Sequence, residues 1–113
     1  MSSIETIKSN TEFQAIFEKG HSIQSRYLVV YFLHNQLNII RYGFCVGKRI
    51  GCAVQRNRVK RLLREVVRKT NYFEGIGMDL IIIARNPILN VAIDDITRDY
   101  FSILKKFSLR NNK

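Results

Sequence analysis

The chain is poor in the residue types from which metal sites and covalent cross-links are built. Its 113 residues include only two cysteines and two histidines. Cys45 and Cys52 do not make the disulfide framework of a small secreted domain. No further sulfur completes a zinc set with them, and His21 and His34 lie far away in the sequence. We therefore expect both thiols to be reduced, and we predict no metal site in the protein.

Long hydrophobic runs and linker segments are also missing. The longest apolar runs, 28–33 and 80–84, fall far short of the roughly 20 residues that span a membrane. The N-terminus lacks the basic region followed by an apolar region that marks a secretory signal. No repeat and no Gly/Ser/Pro-rich stretch divides the chain. We expect a single domain over residues 1–113 that works in the cytoplasm without membrane contact.

The titratable residues do not form a catalytic set. No combination of histidine, glutamate and lysine has spacing suited to acid–base catalysis. No cluster of carboxylates suits the two metal ions of a nuclease site. The sequence therefore predicts that the protein has no catalytic side chains.

The positive charge, in contrast, is abundant and concentrated in one segment. The formal net charge is +10 at pH 7. Residues 41–69 contain ten Lys or Arg and one acid, Glu65, whereas the other 84 residues carry nine basic and eight acidic side chains. A dense basic segment on a nearly neutral body is typical of a protein that binds a polyanion such as a nucleic-acid backbone.

The order of the predicted elements indicates an α+β fold. Apolar periodicity and turn residues predict helices at 10–19, 52–71 and 94–108 and strands at 26–34, 39–46 and 79–84, with a short extended piece at 21–25. Ser9 and Glu12 fit a capping box for the first helix, and Gly20 fits its end. Strands 26–34 and 39–46, joined by a turn at 35–38, are expected to pair as an antiparallel hairpin. Strand 79–84 should be buried on both faces.

The helix predicted at 52–71 has one cationic and one apolar face. With Arg56 as origin and about 100° per residue, Lys60, Arg64 and Arg68 fall at about 40°, 80° and 120°. The apolar side chains occupy the opposite arc, and they are Val59, Leu62, Leu63, Val66 and Val67. The polar arc is termed the cationic ridge below, and it consists of Arg56, Asn57, Lys60, Arg61, Arg64 and Arg68.

Two interpretations of the cationic ridge compete. Most charged helix faces are simply solvated, but such faces usually mix acids and bases at a spacing of four residues. Here the only acid, Glu65, lies outside the ridge. Like charges four residues apart repel, so a polyanion against the ridge would relieve a cost in stability. We therefore favour nucleic-acid binding, and Lys48 and Arg49, flanked by Gly47 and Gly51, could extend the contact to the start of the helix.

Residues 47–65, with the sequence GKRIGCAVQRNRVKRLLRE, resemble the RNR motif of the bacterial ribonuclease P protein component. The similarity extends over about residues 5–108. The helix at 10–20 resembles the opening helix of the family, and 79–85 resembles the strand after the RNR helix. The resemblance implies an αβββαβα sandwich with a small central sheet packed with helices, a fold described as ribosomal protein S5 domain 2-like. It also implies a left-handed crossover through the RNR helix.

The resemblance further implies the function. Members of this family are protein subunits of a ribonucleoprotein whose RNA subunit removes the 5′ leader from precursor tRNA, with Mg²⁺ held mainly by that RNA and the substrate. The expected partners are the ribonuclease P RNA and precursor tRNA, with no obligate protein partner. The implied leader-binding cleft consists of Phe13, Phe17 and Tyr31. The RNA-binding residues, with Arg68 added from the ridge, are Lys48, Arg49, Arg56, Asn57, Arg58, Lys60, Arg61, Arg64 and Arg68.

Several alternatives stay open at this point. Phe13 and Phe17 could be ordinary core residues. The whole protein could be another RNA-binding module, such as a ribosomal or ribosome-associated protein, or a protein-only nuclease. A helix-turn-helix DNA binder fits less well, because a predicted strand precedes the basic helix. The chain also departs from the family pattern at Thr6, Cys52 and Gln55, where a basic residue, an asparagine and an apolar residue are usual.

Overall fold

The computed structural model describes residues 4–70, 73 and 75–111, and these residues form one five-stranded sheet with three α-helices. The predicted α+β architecture is confirmed, with one short strand added at the start. The strands are β1 Glu5–Thr6, β2 His21–Gln24, β3 Leu28–His34, β4 Ile40–Cys45 and β5 Met78–Ala84. The helices are α1 Asn10–Lys19, α2 Ala53–Arg68 and α3 Ile93–Asn111, with short 3-10 turns at Lys48–Ile50 and Asn86–Ile88.

Strand β5 lies at the centre of the sheet, and its position corrects the predicted hairpin. The strand order is β1-β4-β5-β3-β2. Strand β5 runs antiparallel to β3 and parallel to β4, so strands 26–34 and 39–46 do not pair with each other. The loop between them crosses the start of β5, where the Asn35 N–H donates to the Gly77 carbonyl at 3.1 Å. The apolar sequence of β5 explains this arrangement, because neighbours on both edges and both faces remove it from water.

The two faces of the sheet are covered unequally. On one face, α2 and α3 bury alternate residues of β3, and the Phe32 ring stacks on Phe107 of α3 with centroids 4.1 Å apart. On the other face, α1 is the one helix of the described residues that packs against the sheet, with Ile16 in a small cluster beside Ile81. Tyr31 on this second face is only half-buried. A strip of sheet beside α1 therefore stays open to solvent.

Helix α1 begins and ends at the predicted residues, but its capping differs in detail. The Ser9 hydroxyl accepts a hydrogen bond from the Glu12 N–H at 3.1 Å, as expected for an N-cap. The Glu12 carboxylate does not complete the capping box on Ser9; it accepts from the Lys8 N–H instead, at 3.4 Å. The helix ends at Gly20, whose backbone is extended, and a side chain is excluded there because a Cβ would lie 2.6 Å from the Ile16 carbonyl oxygen.

The boundaries of α2 and α3 also differ slightly from the prediction. Helix α2 ends at Arg68, and the predicted end at residue 71 lies outside the described residues. Cys52 occupies the N-cap position, and its N–H donates to the Gln55 side-chain oxygen at 2.9 Å. Gln55 is therefore part of the helix cap, which the sequence pattern did not indicate. Helix α3 extends beyond the predicted 94–108 at both ends.

A buried ion pair joins the centre of the sheet to α1. Among the described residues, Asp79 of β5 is the only buried charged side chain. Its carboxylate accepts from Nε and one terminal nitrogen of Arg41 at 2.9 and 2.7 Å, and from the Asn35 amide at 2.7 Å. The other terminal nitrogen of Arg41 contacts Glu12 at 2.9 Å. The hydrogen bond from Arg41 lowers the pKa of Glu12, and the hydrogen bond to Asp79 raises the pKa of Arg41. Arg41 is thus neutralised by carboxylates within the fold.

Replacing Arg41 with methionine should destabilise the protein strongly, because Asp79 would stay buried without its cation. We expect Arg41→Met to lower the free energy of unfolding by about 3–5 kcal/mol. Arg98→Met is the matched control, since the side chains of Arg98 and Asp95 are 76% and 49% exposed, and it should cost less than about 1 kcal/mol. Urea unfolding measures both. Equal, small losses would contradict the structural role assigned to Arg41.

Candidate nucleic-acid interface

Packing of α2 turns the cationic ridge towards solvent. Val59, Leu63, Val66 and Val67 are buried in the core, in agreement with the predicted apolar face. On the opposite side, Asn57, Arg61, Arg64 and Arg68 are exposed, and Arg56 and Lys60 are half-buried. A shallow groove on this side is lined by Asn57, Lys60, Arg61 and Arg64. The structure therefore brings the ridge together as one continuous surface.

Only one cation of the ridge is paired with a carboxylate among the described residues. Arg68, at the end of α2, pairs with Glu65 at 2.8 Å. Within the described parts of the chain, the other ridge cations make no ion pair with a carboxylate. The Nε atom of Arg56 is buried and has no hydrogen-bond partner. The guanidinium of Arg64 lies over the ring of Phe44, with its central carbon 5.8 Å from the ring centroid. These cations are available to an external anion.

Lys48 and Arg49 lie in the 3-10 turn just before α2, and both are exposed. Buried Ile50 anchors this turn. Arg58, in contrast, faces away from the ridge and lines a separate groove with residues of the loop before α3, among them Asn90. Nine cationic and polar residues were predicted to bind RNA. Of these, Arg58 is the one whose side chain lies on a different face of α2 from the ridge.

Phe13, Phe17 and Tyr31 come together on the open face of the sheet. The Phe17 ring meets Tyr31 edge-on, with centroids 5.0 Å apart, and Phe13 lies 6.5 Å from Phe17. Phe17 is 39% exposed, so it is not a core residue. Phe13 is half-buried, and its ring rests on Gly43, where a Cβ would come within 2.6 Å of it. These three rings are termed the aromatic cleft.

One groove connects the aromatic cleft with the cationic ridge. Phe13 of the cleft and Lys60 and Arg64 of the ridge all line it. The remaining lining residues are Thr6, Ile7, Tyr42, Gly43 and Phe44. Sequence reasoning missed Phe44, although strand alternation places it on the same face as Tyr42. Only the packing of β4 beside α2 brings its ring to Arg64.

The described residues offer no protein metal centre. Among them, no three or more His, Cys, Asp or Glu side chains are grouped so as to hold a metal ion, and no helix is long and apolar enough to cross a membrane.

Both cysteines are free. Burial raises the pKa of Cys45, whereas hydrogen bonding from the Gln55 backbone N–H at the start of α2 lowers the pKa of exposed Cys52.

A helix face whose cations are mostly unpaired among the described residues, joined by a groove to three partly exposed aromatic rings, is typical of an α+β nucleic-acid-binding protein. A family model described as Ribonuclease P matches residues 1–108. The chain is 44% identical over 109 residues to the ribonuclease P protein component of Natranaerobius thermophilus, covering 96% of this chain and 95% of that protein. The chain therefore belongs to the ribonuclease P protein family.

Solved structures agree with this assignment. A Staphylococcus aureus RNase P protein mutant, described as defective in mRNA degradation activity, superposes with a TM-score of 0.82 at 35% identity, over 91% of this chain and 87% of that one. The RNase P protein of Thermotoga maritima gives 0.81 at 29% identity, over 90% and 96%. Family membership makes the chain an RNA-binding part of a ribonucleoprotein in tRNA processing, with ribonuclease P RNA as its partner.

Proposed function

We propose that the chain binds the ribonuclease P RNA through the cationic ridge and the 5′ leader of precursor tRNA through the aromatic cleft. In this way it assists endonucleolytic removal of the leader in the bacterial cytoplasm. The observation that supports the role of the ridge is that, among the described residues, only Arg68 of its five cations pairs with a carboxylate. Glu12 and Asp79 pair with Arg41, which is not part of the ridge, and Glu65 pairs with Arg68.

The protein's contribution would be electrostatic and positional, with the chemistry carried out by the RNA subunit. The ribozyme and precursor tRNA are both polyanions, and their association requires cations between them. In this proposal Mg²⁺ is held mainly by the RNA and the substrate. Cations fixed along α2 would take over part of the screening, so that cleavage proceeds at a lower Mg²⁺ concentration.

The leader would be recognised by stacking. Every base has a flat π-face, so aromatic rings bind single strands with little sequence preference. Phe17 has the most exposed of the three rings, and Tyr31 meets it edge-on. The two rings would therefore contact an unpaired strand in two different orientations.

Reconstitution tests the proposal directly. Precursor tRNA is incubated with a bacterial ribonuclease P RNA at low Mg²⁺, with and without the protein, and removal of the 5′ leader is measured. We expect the protein to stimulate cleavage at the mature 5′ end and to cleave nothing by itself. Cleavage at that site by protein without the RNA subunit would instead identify a protein-only nuclease.

Removing three ridge cations should weaken binding of the RNA subunit and reduce its dependence on salt. For Arg56→Ala, Lys60→Ala and Arg64→Ala combined, the slope of log affinity against log salt should fall by about 0.7–0.9 per lost phosphate contact. The control removes the same charge elsewhere, with Lys19, Arg98 and Lys106 changed to Ala. Filter binding over a salt series measures both, and an identical slope in the ridge variant and the wild type would exclude the ridge from the interface.

Loss of the Phe17 ring should weaken binding of precursor tRNA but not of mature tRNA. In the reconstituted holoenzyme we expect Phe17→Ala to cost about 1–3 kcal/mol for leader-bearing tRNA, the usual contribution of one stacked base. Phe101→Ala on α3 is the matched control, because Phe101 is 40% and Phe17 39% exposed. Equal losses for precursor and mature tRNA would mean that Phe17 is only structural.

A further inference from the structure

We infer that the groove at the edge of β4 is a nucleotide subsite for the leader, in which Phe44 supplies the stacking surface and Lys60 and Arg64 hold the adjoining phosphate. The inference rests on the proposed function, because it assumes that single-stranded RNA occupies the aromatic cleft. It adds one specific contact, made by a residue that is not part of the RNR motif or of the cleft.

The groove exists because β1 is short. Strand β1 pairs with β4 only at Arg41 and Tyr42, and the last hydrogen bond runs from the Ile7 N–H to the Tyr42 carbonyl at 3.0 Å. From Gly43 onwards, no described strand pairs with β4 on this side. The edge is therefore open where the side chains of α1 and α2 approach it from opposite faces of the sheet.

The lining of the groove has the composition that a nucleotide needs. Phe13, Tyr42 and Phe44 provide aromatic surface, Lys60 and Arg64 provide positive charge, and no lining residue is acidic. An aromatic ring next to a cation binds the flat base and the anionic phosphate of one residue together. A peptide strand could also add to an open β edge, but two cations and no acid among the lining residues favour a phosphate.

Part of the Phe44 side chain is accessible for stacking. It is half-buried, so its packing against the core leaves part of the side chain accessible. Its ring lies nearly parallel to that of Tyr42, at 17° and 6.1 Å, and carries the Arg64 guanidinium 5.8 Å from its centroid. The guanidinium of Arg64 therefore lies beside the ring, where it could donate to the phosphate of a nucleotide whose base stacks on Phe44.

The groove also lies on the path between the two proposed RNA sites. Phe13 lines it and is 6.5 Å from Phe17, so it is continuous with the aromatic cleft. Lys60 and Arg64 line both this groove and the one along the ridge. A strand stacked on Phe17 that continues towards α2 would therefore cross the edge of β4 beside Phe44.

Double-mutant cycles between protein and substrate test the inference in the holoenzyme. Precursor tRNAs carry one abasic residue at successive leader positions, and their affinities are measured with wild-type protein, Phe44→Leu and Phe44→Tyr. Leucine keeps apolar bulk for the core, and thermal unfolding checks the fold. At one leader position, we expect the abasic change and Phe44→Leu each to weaken binding by about fivefold or more, with no further loss when they are combined. Phe44→Tyr should bind normally.

The same design separates failure of the inference from failure of the proposed function. Phe17→Ala should couple to a different leader position. If Phe17 couples and Phe44 couples to none, the subsite is wrong and the proposed function stands. If the leader adds no affinity even with the wild-type protein, the proposed function itself fails. If Phe44→Leu weakens binding of the RNA subunit alone as much as that of precursor tRNA, the groove belongs to the ribozyme and the leader subsite is overturned.

Discussion

The burial of β5 on both faces and both edges is the constraint on which the rest of the structure depends. Its apolar residues can leave water only if helices cover both sides of the sheet and if β3 and β4 flank it. Helices α2 and α3 cover one face and α1 covers the other. As a result, the cationic ridge and the aromatic cleft arise on opposite faces of one sheet, and the open edge of β4 is where they meet.

Among the described residues, acidic side chains fasten this framework, and only Glu65, which pairs with Arg68, neutralises a cation of the ridge. The only buried charged residue that the structure describes, Asp79, holds Arg41, and Arg41 in turn holds Glu12 at the start of α1. The helix that carries Phe13 and Phe17 is thus tied to β4, the strand that presents Phe44 on the other face. These ion pairs give the cleft a defined position relative to the groove, whereas most cations of α2 make no ion pair with a described carboxylate.

Local signals in the sequence predicted most elements because each signal acts within a few residues. The apolar stripe of α2, the Ser9 cap and the Gly20 stop were all confirmed. The predicted hairpin was wrong because its partner strands are not set locally. A short turn at 35–38 favours pairing of its flanking strands, but β5, which lies far along the chain, pairs with both of them instead. The cap formed by Gln55 was missed because the family pattern has an apolar residue at this position, and an apolar side chain cannot accept the Cys52 N–H.

The sequence by itself determined the class of the protein and the cationic face of α2, since charge, helical period and the RNR motif are properties of a contiguous segment. Only the tertiary structure decided that Arg41 is neutralised, because its partners Glu12 and Asp79 are distant in the chain. It also decided that Phe13, Phe44 and Arg64 line one groove. These residues lie on three different elements, and their meeting depends on strand order, which no periodicity along the chain encodes.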